Sequence, residues 1–343
     1  MSLFDPISNV PGATEPDDKT RAGKRLIDEE PNLADFNFEQ SVMHGLTLRP
    51  RRIASKWLYD DIGAALFEDI VSSPGYYVPR AERQILEVHG AEIAEALGEG
   101  GSLVEFGSGA STKVRLLLDA LPNLHRYVPI EISEAQLLEA ADAIRADYPD
   151  LTVVPIAGDF TKHVALPAPV REGPVLGFFP GSTLCNLLPQ NSAGFLRRMH
   201  AILGSNSLFL VGVDLQKSTD TLLSAYNEPG GAIWHFNLNI LDRMNRELGT
   251  TLVKDAFRHE AKYNVEAGRI EAAIYPLQGQ SVIVAGQAFD LPAQEPIILE
   301  YSHKYTLEGF AALAESAGWK TLYAWTDADA LFSVHLLTNR TDK

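Results

Sequence analysis

The chain has 343 residues, 45% of them hydrophobic and 22% charged, the composition of a folded globular protein with room for two ordinary domains. Its formal net charge of −16 repels phosphate backbones, which argues against nucleic acid as a partner and for a small-molecule substrate. The only cysteine, Cys185, excludes an intrachain disulfide, and no run of about eighteen apolar residues is present to cross a membrane.

Residues 1–29 carry Pro6, Pro11 and Pro16 among polar and charged neighbours, too little apolar content for a core, and read as a flexible N-terminal arm. Its basic cluster Lys19, Arg21, Lys24 and Arg25 reads as a solvated tail. The arm lacks the continuous apolar stretch of a signal peptide, so a cytoplasmic location is expected.

From Gly101 to about Val213, compact β-rich segments (SLVEF, HRYVPIEI, LTVVPIAGDF, PVLGFFP and SLFLVGV) alternate with segments of helical spacing (TKVRLLLDALP, EAQLLEAADAIRADYP and SAGFLRRMHAILG). That alternation predicts right-handed βαβ crossovers and an α/β fold, a doubly wound, mainly parallel Rossmann-like sheet. Beyond Asp214 the rhythm changes. A helical stretch from about Ser218 through Leu248 precedes TLVKDAFRHEAKYN, EAGRIEAAIYPLQ, QSVIVAGQAFDL and PIILEYSHKYT, which read as antiparallel strands joined by turns. The tail reads as one helix and two strands returning to the parallel sheet as its antiparallel edge. The expected division is therefore a cofactor-binding domain at 81–214 and 306–343, interrupted by an inserted α+β substrate-binding domain at 30–80 and 215–305.

In LVEFGSGASTKVRLLL a strand ends at Phe106, turns through Gly107-Ser108-Gly109, and a helix is predicted to start near Ser111. Glycines there let a ligand approach the backbone at the carboxyl end of the first strand. The next strand ends at Glu131, placed to accept from two ribose hydroxyls, and the following one ends in Gly158-Asp159-Phe160, an acceptor for an adenine amino group beside an aromatic face. Lys113 can pair with a carboxylate. Taken singly, each is as well read as a solvated charge or a core aromatic; three successive strand ends change the balance. A dinucleotide fingerprint needs a third glycine, and Thr112 holds that place, so S-adenosylmethionine (SAM) and methyl transfer outrank NAD and hydride transfer.

The chain also resembles a family, the histidine Nα-methyltransferases of ergothioneine biosynthesis, through KWLYDDIGAALFEDI, PGYYVPR, LVEFGSGASTKVR, GDF, FFPGSTLCNLLP, GVDLQK, AYNE, FNLN, RIEA and EYSHKY in that order, across about Arg51 to Leu337. The resemblance implies a methyltransferase domain with an inserted substrate domain, and transfer of three methyl groups to the α-amino nitrogen of L-histidine to give hercynine. By motif position, Gly107, Lys113, Glu131, Asp159 and Phe160 would contact SAM. Tyr76, Asn186 and Tyr226 would hold the amino acid's amino and carboxylate groups, and Gly181 would offer backbone contact. Glu300 and Ser302 would read the imidazole, Glu300 accepting from one ring N–H. Tyr59 and Asn186 are the candidate catalytic positions. Two positions depart from the family pattern: Ala272 follows Ile-Glu where methionine is frequent, which leaves room for a bulkier amino acid such as tryptophan, and the ribose acid is Glu131 in place of aspartate. A non-catalytic SAM-binding regulatory protein is the alternative from another class. His235, His259 and His303 have no metal-site spacing, so no metal is expected. A monomer is expected.

Overall fold

A computed structural model describes residues 33, 36–109, 113–162 and 164–340. The predicted arm at 1–29, with its basic cluster, and the helix start near Ser111 lie outside the described residues. In chain order the elements are α1 (Phe38–Thr47), β1 (Arg51–Arg52), α2 (Asp61–Ser72), α3 (Val78–Leu97), β2 (Ser102–Phe106), α4 (Val114–Ala120), β3 (Arg126–Glu131), α5 (Glu134–Asp147), β4 (Thr152–Val153), β5 (Ile156–Ala157), β6 (Val175–Phe179), α6 (Pro189–Leu203) and β7 (Leu208–Asp214). They continue with α7 (Thr219–Tyr226), α8 (Ala232–Leu248), β8 (Phe257–Asn264), β9 (Arg269–Pro276), β10 (Gln280–Val284), β11 (Gln287–Leu291), β12 (Ile297–His303), α9 (Leu307–Ser316), β13 (Lys320–Thr326) and β14 (Phe332–Thr338).

The large sheet has the order β13-β14-β7-β6-β2-β3-β4, with β5 also on β3. The pairs among β2, β3, β4, β6 and β7 are parallel, and β14 and β13 close one side antiparallel, as the tail of the sequence predicts. The order reverses between β2 and β6, the switch point at whose carboxyl ends open α/β sheets bind ligands. Alternation along each strand builds the two faces: Leu208 and Leu210 of β7 join one buried cluster, and Phe209, Val211 and Val213 the other.

A second sheet, β1-β12-β9-β8, takes β1 parallel against β12 and runs antiparallel from there. α1, α2 and α8 supply Val42, Leu46, Ile70, Leu238 and Ile240 to the core beneath it. Ala261, Ile270 and Ala272 of this sheet, with Tyr226 of α7, instead join the core of the large sheet, so the two sheets meet along that line.

Three local readings change. The helical stretch 218–248 is two helices, because Pro229 and Gly230, the latter at φ +65°, interrupt it after Tyr226. LTVVPIA forms two short strands, since Pro155 lacks an N–H and the partner β3 carries Pro129 opposite the gap. QSVIVAGQAFDL is a hairpin, its turn at Ala285 and Gly286 both in the left-handed region.

Candidate functional site

The glycine turn after β2 faces the ends of β3 and β5. Gly107 sits at φ +75°, a region unfavourable to any residue with a side chain, and a Cβ there would meet the Phe160 ring at 3.5 Å. Its N–H donates to Ile130 O of β3 (2.9 Å), which ties the turn to the neighbouring strand. Glu131 ends β3 and accepts from its own turn, from Ile132 N (2.8 Å) and Ser133 N (3.4 Å), while Gly109 N reaches its other oxygen at 3.4 Å. Asp159 follows β5 and accepts from Thr161 N (2.9 Å) and the Thr161 hydroxyl, with Lys162 at 3.4 Å. Burial pushes its carboxyl up, but those donors and the Lys162 charge outweigh it and hold the group below the usual carboxylate range. Phe160 packs edge-on against Phe106, Phe179 and Phe195, at centroid distances of 6.2, 5.7 and 6.3 Å.

Lys113 caps the start of α4, and its ammonium pairs with Glu82, a fully buried carboxylate on α3. The other Glu82 oxygen accepts from Gly181 N at 2.7 Å. Gly181, at φ +72° just past β6, therefore spends its N–H on Glu82, and a Cβ there would lie 3.6 Å from the Lys113 ammonium. Glu82 thus holds the ends of α4 and β6 together across the switch point; sequence reasoning passed over it, because a glutamate in a helix reads as surface. Asn186 ends the turn Thr183–Asn186 after β6, and its amide has no hydrogen-bond partner among the described residues.

The residues expected around the amino acid come from elements distant in sequence. Tyr59, Tyr76, Tyr226, Ala272 and Glu300 line one narrow cavity with Phe67, Ile70, Ile233, Phe236 and Asn237. Asp60 fixes Tyr59 by capping α2 through Gly63 N (2.8 Å) while accepting from Asn239 of α8 (2.8 Å) and pairing with Arg246. The Tyr59 ring stands edge-on to Phe67 and Phe236 at 5.3 and 5.1 Å and is partly open to solvent. Tyr226 closes α7 and is locked by its neighbour Asn227, whose side chain both donates to Ala261 O (2.8 Å) and accepts from Ala261 N (2.7 Å). Tyr76 packs edge-on to Tyr226 at 6.1 Å. Burial raises both phenols well above their ordinary value, so both stay protonated.

Glu300 shares its face of β12 with Ser302. Its carboxylate has no hydrogen-bond partner among the described residues, and burial raises its pKa to about 7 against the opposing charge of Lys304. Ser302 is buried and accepts from Tyr226 at 3.2 Å. Asn186 and Ser302 are not among the residues lining the cavity; Asn186 lies in the turn after β6, and Ser302 is bonded to the hydroxyl of Tyr226, which does line it. Sequence reasoning also missed a buried charged group behind Tyr226, formed by Tyr77, Asp214, Lys217 and Lys304. Its signal was an aspartate closing the otherwise apolar run LFLVGVD. Cys185 is buried, its thiol pushed up by that burial, and its carbonyl accepts from the ring of His303 at 3.2 Å. No cluster of metal-ligating side chains occurs among the described residues, and none of the described helices is long and apolar enough to cross a membrane.

The donor set fits SAM. Glu131 and Asp159 offer carboxylate oxygens at adjoining strand ends, Phe160 offers a ring beside Gly107, and Gly109 leaves open space where a side chain would stand. The same chain is similar along most of its length to known proteins. Histidine N-alpha-methyltransferase of Mycolicibacterium smegmatis is 38% identical over 87% of this chain and 93% of its own, and that of Mycobacterium tuberculosis 36% identical over the same shares. The L-tryptophan methyltransferase of Psilocybe serbica is 24% identical over 91% of this chain and 94% of its own. Residues 38–339 match the family described as histidine-specific methyltransferase, SAM-dependent. With the family matched over residues 38–339 and a relative 38% identical over most of both chains, the chain belongs to the SAM-dependent histidine-specific methyltransferases.

Proposed function

We propose that the protein transfers three methyl groups from SAM to the α-amino nitrogen of L-histidine, giving hercynine for ergothioneine synthesis. The observation that carries this reading is Glu300: an unpartnered carboxylate in an aromatic cavity, the group an imidazole N–H would satisfy. Side chains without a matching donor leave that carboxylate desolvated and unpaired, which is a stronger rejection than shape alone provides.

Residues 30–80 and 215–305 form the substrate-binding part of this reading, and residues 81–214 and 306–343 the cofactor-binding part. When bound, SAM supplies an electrophilic methyl group on a sulfonium. Gly107, Glu131, Asp159 and Phe160 hold its nucleoside, and Lys113, neutralised by Glu82, lies where an amino-acid carboxylate would pair with it. Asn186, in the turn packed against β12, orients the amine to be methylated together with Tyr59. Tyr76 and Tyr226 hold the amino and carboxylate groups and offer aromatic faces to a cationic nitrogen. A neutral amine is the nucleophile, so a proton must leave before each attack, and a phenol hydroxyl relays it by taking up the amine's proton as it releases its own to solvent water. Alignment of the reacting atoms is the main contribution expected from the protein.

Ala272 favours a second reading, in which tryptophan or another bulky amino acid is the substrate, because it is buried opposite Glu300 and leaves space beside it. Purified protein incubated with SAM and a panel of amino acids, with products read by mass spectrometry, separates the two. A three-methyl gain on histidine is expected; gain on tryptophan alone sinks the leading reading, and no product with any amine favours a binding protein. We also propose that the protein acts in the cytoplasm as a monomer.

A further inference from the structure

The buried charged group behind Tyr226 has no role in the chemistry described above. Asp214 closes β7 and is fully buried. Lys304, equally buried, and Lys217 each donate to it at 2.6 Å, and the Tyr77 hydroxyl reaches it at 2.9 and 3.0 Å. Burial pushes the Asp214 carboxyl up, and the two ammonium groups outweigh that and keep it ionised. An ion cluster in a protein interior is a weak contributor to stability compared with apolar packing of the same volume, so stability alone does not account for it.

A role for it follows from where the remaining protons of Lys304 go. An ammonium has three donors and no acceptor. One reaches Asp214; the others reach the Ser302 hydroxyl at 2.7 Å and the Tyr226 hydroxyl at 3.2 Å. Tyr226 in turn donates to Ser302 at 3.2 Å. The Ser302 oxygen therefore accepts from both, its two lone pairs are taken, and what it has left for a further partner is its own proton. If Tyr226 turns its proton toward a bound amino acid, the shorter bond from Lys304 still keeps Ser302 biased toward donation. Glu300, two residues earlier on the same face, is an acceptor when ionised, so the two residues present one donor and one acceptor.

We infer that Lys304 is a positioning residue that fixes Ser302 as a donor, so that the substrate ring is held as neutral imidazole, its unprotonated nitrogen on Ser302 and its N–H on Glu300. The inference rests on the proposed ring contacts of Glu300 and Ser302, and it adds the polarity of the site and the residue that imposes it. Imidazolium, with two N–H groups and no acceptor, is refused at Ser302.

Two measurements test it. In wild-type protein saturated with S-adenosylhomocysteine, the nuclear magnetic resonance spectrum of bound, ring-15N-labelled L-histidine is expected to show one pyridine-type and one pyrrole-type nitrogen below the pH at which free histidine protonates; two pyrrole-type nitrogens overturn the inference. The second is a cycle of Lys304→Met, Ser302→Ala and the double variant, in which Asp214 keeps Lys217 and Tyr77 as partners. Each single change is expected to raise KM for histidine about tenfold, and Lys304→Met on top of Ser302→Ala to add less than about twofold. An equal loss from Lys304→Met in both backgrounds means that it acts on the fold and not through Ser302. If Ser302→Ala leaves KM unchanged, the ring contact itself is wrong, a failure distinct from that of Lys304. The spectrum decides the polarity even if Lys304→Met does not fold.

Discussion

Ala272 and Glu300 are direct cross-strand partners on β9 and β12, and both border the aromatic cavity. Side chains so placed stand about 5 Å apart at their Cβ atoms, so whatever Glu300 holds also borders position 272. Ala272→Met is expected to lower the ratio of kcat/KM for tryptophan over histidine by about tenfold or more, as added methylenes do in a closed pocket. Competition between the two amino acids, read by mass spectrometry, gives the ratio directly. An unchanged ratio would place the substrate side chain elsewhere.

Glu300 connects that pocket to pH. Its carboxyl, raised by burial to about 7, is protonated below that value and then accepts an imidazole N–H only through a neutral carbonyl, a weaker bond than the charge-assisted one. The kcat/KM for histidine is expected to fall as pH drops through 7. Glu300→Gln, which cannot titrate but keeps a carbonyl acceptor, should lose the part of that fall which belongs to the enzyme and leave the part due to the substrate's own ring. Glu300→Ala is expected to lower kcat/KM by roughly 10 to 100-fold, the cost of a lost charged hydrogen bond. Wild-type efficiency in the Ala variant would remove this role from Glu300.

The cofactor side can be separated from the substrate side. Glu131→Ala removes a carboxylate at the end of β3 without touching the aromatic cavity, and is expected to raise KM for SAM by about tenfold or more, with a much smaller change in KM for histidine. Steady-state kinetics with each substrate varied in turn makes the comparison. A rise confined to histidine contradicts the placement.

Glu82 offers a test of how the crevice is assembled. Its carboxylate is fully buried between the Lys113 ammonium and the Gly181 N–H, so Glu82→Gln leaves Lys113 without its counter-charge. Breaking a buried pair costs about 3 to 5 kcal/mol in general, and Lys113 is partly exposed, so the loss here should lie toward the lower end. The expected result is a melting temperature lower by several degrees and weaker SAM binding by calorimetry. Full stability with full affinity would show that Lys113 and Gly181 are held by other groups.

A second pH effect belongs to the fold. Glu105 lies within β2, fully buried and bonded to the Tyr127 hydroxyl, and burial raises its carboxyl to about 8. Because the folded value lies above the unfolded one, Glu105 favours folding most below the unfolded carboxylate range, and that contribution is lost as pH rises toward 8. Glu105→Gln is therefore expected to gain several degrees in melting temperature over wild type at pH 9 and little at pH 4.5. An equal gain at both values would mean that Glu105 is not protonated in the folded protein.

The strands of the large sheet, its antiparallel closing pair and the glycine turn at Gly107 were legible in the sequence, because local chemistry writes them: buried strands need unbroken apolar runs, and a left-handed turn needs glycine. The places of Glu131, ending β3, and Asp159, just after β5, were legible for a related reason, since an apolar run that gives way to a carboxylate marks the end of a strand. The split of 218–248 into two helices and the roles of Glu82 and Lys304 were not. A glutamate on α3 or a lysine after β12 reads as surface until the fold carries it inside, where desolvation forces it to find Lys113 or Asp214 as a partner. The sequence by itself determined the sheet, the glycine turn and the family; only the tertiary structure decided which charges are buried together, because burial and pairing arise from residues 31 and 90 positions apart brought within hydrogen-bond distance.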